Sequence, residues 1–128
     1  MGVAVTHGVR IMAWARFEPR HSDPHAGRYL FSYRITITNR TKDTIQLLRR
    51  HWVITDSLGP MREVEGQGVV GQQPVLEPGE EFSYSSACDL RSGFGRMQGT
   101  YRMIRMRDGH LFDVRIPELR LLYPHSAN

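Results

Sequence analysis

The stretch Tyr29-Leu30-Phe31-Ser32-Tyr33-Arg34-Ile35-Thr36-Ile37-Thr38 alternates large apolar side chains with smaller or polar ones. In an extended chain, successive side chains point to opposite faces, so Tyr29, Phe31, Tyr33, Ile35 and Ile37 share one side. A helix would scatter them around its axis, and β-branched and aromatic residues favour the pleated surface. So dense an apolar face belongs in a core; it is not an exposed aromatic platform on which nucleic-acid bases stack.

The same period of two recurs outward from this strand. Upstream, Val9, Ile11, Ala13, Ala15 and Phe17 line one face of a first strand, and a polar stretch over 18–28 holds Pro19 and Pro24. Downstream, 39–43 reads as a turn, and a third strand over about 44–55 offers Leu48, Trp52 and Ile54 to the core. Asp56-Ser57-Leu58-Gly59-Pro60 breaks the chain before a short strand near 61–65, and a glycine-bearing loop spans 66–74. Leu76-Glu77-Pro78-Gly79-Glu80 turns into a strand with Phe82, Tyr84 and Ser86; a Ser/Gly loop at 92–95 precedes another at 100–106. Asp108-Gly109 predicts a two-residue hairpin turn with positive φ at both central positions, leading into Phe112, Val114 and Ile116. No stretch carries a helical stripe. About seven short strands separated by turns predict an all-β, two-sheet antiparallel sandwich of the immunoglobulin or fibronectin-III type.

Two details sharpen this reading. Trp52 falls on the third strand, where immunoglobulin-like folds bury a tryptophan between the sheets. Gly99-Thr100-Tyr101-Arg102-Met103 is similar to a tyrosine-corner segment, with Met103 where an antibody domain has its second cysteine.

The chain of 128 residues is long enough for one domain and its core. We expect a single domain over 1–128, with the core at about 3–122 and a short tail at 123–128. The lone Cys88 leaves packing, not a disulfide, to hold the sandwich, as suits a reducing compartment. The N-terminus lacks the basic start and apolar centre of a signal peptide, and no apolar run nears the ~20 residues of a membrane span. A cytoplasmic location and no membrane partner are therefore expected.

The formal charge is +4, and of 17 basic residues only Lys42 is a lysine. The arginines are spread along the chain, with Arg102, Arg105 and Arg107 the nearest to a cluster. No block of like charge marks a nucleic-acid arm, so nucleic acid is not an expected partner.

Gly66-x-Gly68-x-x-Gly71 is the sharpest motif. In a dinucleotide-binding domain this pattern opens a helix whose N-terminus receives the pyrophosphate. Here Pro74 follows closely and no βαβ unit surrounds it, so that reading fails its context. Two readings remain for Gly66, Gly68, Val69, Val70 and Gly71: an anion nest of converging N–H groups, or a tight loop needing positive φ. Arg49 and His51 are candidate neighbours. If Trp52 faces the core, alternation puts Arg50 on its side and sends Arg49 and His51 to the outer face.

No metal site is expected. His21-x-x-x-His25 converges on one ion only in a helix, which Pro24 opposes, and His7, His51, His110 and His125 are scattered. Cys88 has no base or orienting group in its sequence context and reads as a small buried hydrophobe. Glu63 with Glu65, and Glu80 with Glu81, read as solvated charges that blunt a sheet edge. With no catalytic constellation visible, neither enzymatic activity nor a cofactor is expected.

Several of these segments together resemble the ApaG family. They are Arg50-His51-Trp52-Val53-Ile54-Thr55-Asp56, Gly66-Gln67-Gly68-Val69-Val70-Gly71-Gln72-Gln73-Pro74 and Leu76-Glu77-Pro78-Gly79-Glu80-Glu81-Phe82-Ser83-Tyr84. Met97-Gln98-Gly99-Thr100-Tyr101-Arg102-Met103 and Phe112-Asp113-Val114-Arg115-Ile116-Pro117 complete the set, in the family's order and spacing over about 3–122. The resemblance implies a fibronectin-III-like sandwich in a bacterial cytosolic protein with no agreed enzymatic activity. Members are linked by phenotype to cobalt and magnesium efflux. Related domains occur in eukaryotic F-box proteins and a DNA polymerase-interacting protein, which implies protein recognition. The expected function is a non-enzymatic module that binds another protein. The alternative is binding of a phosphate-containing small molecule, such as a nucleotide, at the glycine loop.

Overall fold

Phe31, Tyr33, Ile35 and Ile37 leave water together only if a second apolar layer covers them, and a second sheet supplies it. The computed structural model describes residues 1–124; of the expected tail, Tyr123 is described and packs against Phe17 and Tyr29, whereas 125–128, His125 among them, lie outside the described residues. Among the described residues there are nine strands: β1 (Gly2–Thr6), β2 (Val9–Phe17), β3 (Tyr29–Asn39), β4 (Ile45–Asp56), β5 (Arg62–Gln67), β6 (Val75–Leu76), β7 (Glu81–Leu90), β8 (Phe94–Arg105) and β9 (His110–Leu122). One sheet has the order β1-β2-β3-β7; the other runs β5-β4-β8-β9, with β6 pairing beside β4. All pairings are antiparallel. The helical content of the described residues is two 3₁₀ turns, Pro19–His21 and Pro24–Ala26, each opened by a proline. No helix there is long and apolar enough to cross a membrane.

The core lies between the sheets. Ile11, Phe31, Ile35 and Ile37 from one layer meet Leu47, Trp52, Tyr101, Met103 and Val114 from the other, all almost fully buried. Tyr33 packs edge-on against Trp52, with ring centroids 5.6 Å apart. Tyr84 of β7 and Tyr101 of β8 share a hydrogen bond between their hydroxyls, a polar link joining the sheets. The sequence predicts a tyrosine corner, in which this hydroxyl seeks nearby backbone; Tyr101 instead finds a tyrosine in the opposite layer. Burial drives the hydroxyl of Tyr84 above its ordinary range, so both rings stay neutral donors and acceptors.

Four further expectations need correction. The strand count is higher than seven because two short pieces, β1 and β6, join the sheets. Leu48 is not a core residue: β4 bulges between Leu47 and Arg49, so Ile45 and Leu47 face inward and Trp52 still does too. The strand expected from Thr100 begins at Phe94. Gly95 and Gly99 lie within it because a Cβ there would strike the carbonyls of Thr55 and His51 on β4. The turn at Asp108-Gly109 spans 106–109 between the paired Arg105 and His110, and only Gly109 has positive φ.

Candidate functional site

The glycine loop is built around the bulge in β4. That irregularity frees the carbonyl of Leu48, which accepts the N–H of Gly68 at 2.8 Å and the side-chain amide of Gln73 at 3.0 Å. Val69 then enters the core, fully buried, and exchanges two backbone hydrogen bonds with Gln72, N–H to carbonyl each way, at 2.8 and 3.0 Å. Val70 and Gly71 form the tip with φ of 44° and 79°, a two-residue hairpin of the primed kind. A β-branched residue rarely accepts that conformation, and Val70 is 53% exposed. The donors of Gly68, Val69 and Gln72 are thus engaged by carbonyls, and an anion would meet only the tip.

Of the expected neighbours, Arg49 stands across from Gln67 and His51 across from Glu65, both on the face of β4 opposite Arg50. Arg50 is the residue that reaches the loop, donating through Nη1 to the carbonyls of Gln67 and Gly68, each at 3.0 Å. Gly66 is its cross-strand partner, and a Cβ there would press on the guanidinium at 2.9 Å. This arginine binds two loop carbonyls, which is structural work. A phosphate-binding loop needs the opposite polarity, N–H groups turned toward the ligand.

His51 instead meets two carboxylates. Glu65 stands directly across from it in the ladder and Glu63 across from Val53, so alternation puts all three on one face. The Nε2 of His51 lies 3.6 Å from a Glu65 oxygen and 3.9 Å from a Glu63 oxygen. Glu63 and Glu65 are solvated charges on β5, as expected, but their juxtaposition with His51 depends on strand register.

Sequence reasoning missed a second surface, on the outside of the four-stranded sheet. The alternation that buries Ile11, Ala13 and Ala15 sends Met12, Trp14 and Arg16 outward. Trp14 sits across from Arg34, and Arg34 across from Ser85; the next row joins Val3, Met12, Thr36 and Ser83. Val3, Val5 and Trp14 are 51%, 59% and 36% exposed, which makes an apolar ridge beside a field of hydroxyls. Arg16 pairs with Glu18 at 3.4 Å, whereas Arg10 and Arg34 have no ion-pair partner among the described residues. The period-two count that found the core already places Trp14 on its far side.

Cys88 is buried on β7 beside Arg62. Burial pushes its thiol up to about 11, against the pull of the Arg62 charge. We expect no reaction with an aromatic disulfide reagent at neutral pH until the domain is unfolded. Rapid labelling of the native protein, followed by absorbance, would contradict this.

The sequence profile of the ApaG domain matches residues 19–105. The chain is 48% identical to Protein ApaG of Anaeromyxobacter dehalogenans (strain 2CP-C) over 128 residues, the whole of both chains. It is 47% identical to Protein ApaG of Aromatoleum aromaticum over 124 residues, 97% of each. The crystal structure of an ApaA protein from Bordetella pertussis superposes with a TM-score of 0.87 at 42% identity, covering 92% of this chain and 95% of that one. With the family profile, the full-length relatives and the superposed sandwich in agreement, this chain belongs to the ApaG domain family.

Proposed function

We propose that this domain is a protein-binding module whose contact face is the outer side of the four-stranded sheet, centred on Trp14. The carrying observation is the placement of Trp14. A large aromatic stands on the ladder across from the unpaired Arg34, with the exposed Val3 in the neighbouring row opposite Met12. Trp, Met and Arg are enriched where proteins bind one another, and Trp buries much area for little ordering cost because only two side-chain torsions are fixed. Two such faces would bring Arg10 and Arg34 against their own copies, so the reading calls for a different, acidic partner. Phosphate binding at the glycine loop has less support, since most of its amides already have acceptors and its arginine serves carbonyls.

The test is capture of partners from the bacterial cytosol by the immobilised wild-type domain and its variants. Trp14→Ala lies outside the core and is expected to fold normally and to lose the bound proteins. Val70→Gly, which relieves backbone strain at the loop tip, is expected to retain them. Retention by Trp14→Ala with loss by Val70→Gly would move the contact to the loop and refute this reading.

A further inference from the structure

We infer that His51, Glu63 and Glu65 form a binding site for a divalent zinc-like cation on the outer face of the five-stranded sheet. The three ligand atoms lie within 4.8 Å of one another. Ligands around a tetrahedral ion at zinc distances stand about 3.4 Å apart. The separations of 3.6 and 3.9 Å from Nε2 are therefore closed by small carboxylate rotations. The backbone need not move, because register fixes all three positions on one rigid strand pair.

The imidazole itself adds to this, although its side chain as a whole is 37% exposed. Its Nε2 has no accessible surface and no hydrogen-bond partner. A shielded ring nitrogen calls for a partner, and this one is turned toward two carboxylates, where a cation would accept its lone pair. The two like charges on one strand face repel each other, and a divalent ion balances both. The surroundings limit the affinity. Thr100 faces His51 from β8, and the charge of Arg102 is held by Asp113 at 3.0 Å. Arg49 on the same strand opposes a cation, although solvent screens it. One nitrogen and two carboxylate ligands suit zinc, whereas magnesium requires near-octahedral oxygen coordination. The remaining position faces solvent.

The experiment is calorimetry of the full chain, stripped with a chelator, titrated with zinc chloride and followed in parallel by NMR. We expect one saturable equivalent with micromolar affinity, and shifts at the His51 ring and the Glu63 and Glu65 amides. His51→Gln and Glu65→Gln, both at outward positions, should each weaken binding by about tenfold or more. The double variant His21→Ala with His25→Ala should leave it unchanged, and magnesium chloride should not compete. The proposal is overturned by absence of saturable binding, by binding that survives His51→Gln, or by equal competition from magnesium. None of these outcomes bears on the Trp14 face, which is tested separately.

Discussion

Replacing Trp52 with alanine is expected to destabilise the domain by about 3–5 kcal/mol, the range for emptying a core position of this size. The ring is 2% exposed, stacks edge-on with Tyr33, and rests on Gly99, where an added Cβ would come within 3.0 Å of its Cε3. Such a loss is a large share of the 5–15 kcal/mol that holds typical domains together. Equilibrium denaturation in urea reads it as a fall in the midpoint. Trp52→Phe should cost less, because it also removes the indole N–H, which is buried without an acceptor. A loss below about 1 kcal/mol for the alanine variant would mean that Trp52 does not hold the sheets together.

The second large effect is expected at Gly68. Its φ is +62°, and a Cβ there would run into the carbonyl of Gln72, which closes the hairpin. Alanine pays for the left-handed conformation, about 1–2 kcal/mol, and must also displace a backbone group. Gly71→Ala is the internal comparison: φ is +79° but the space around it is open. We therefore expect Gly68→Ala to exceed Gly71→Ala by about 1 kcal/mol or more, measured by thermal unfolding of both. Pyrophosphate at millimolar concentration should leave the amide resonances of both glycines in place. Equal destabilisation by the two variants, with pyrophosphate shifting the loop, would restore the anion-nest reading.

Both predictions rest on features that the sequence reveals unequally. β2 and β3 are legible because strict alternation over Val9–Phe17 and Tyr29–Asn39 leaves one register that buries the apolar face. β4 is legible as a strand, but its bulge is not. Leu47 and Trp52 face the same side only after one residue is set aside, and Leu48 looks as apolar as its neighbours. The first residues of β8 look like a loop in the sequence because Gly95 signals flexibility in isolation; the reason for glycine there is the Thr55 carbonyl across the ladder.

The candidate sites divide in the same way. The glycine motif is visible as a string, but its function depends on which way the amides point, and those are settled by Leu48 and Gln72. His51, Glu63 and Glu65 are remote along the chain and meet only through the β4–β5 register. Trp14 was within reach of the sequence, since a strand that buries Ile11 and Ala13 must turn Trp14 toward solvent.

Recognition of a protein through the four-stranded face is tested most directly by photo-crosslinking in living cells. A photoreactive amino acid is placed in turn at Met12, at Ser85 and at Val70, and adducts are separated by mass. The account predicts discrete adducts from Met12 and Ser85 that disappear when Trp14→Ala is added, and few from Val70. Adducts confined to Val70, or unaffected by Trp14→Ala, would contradict it.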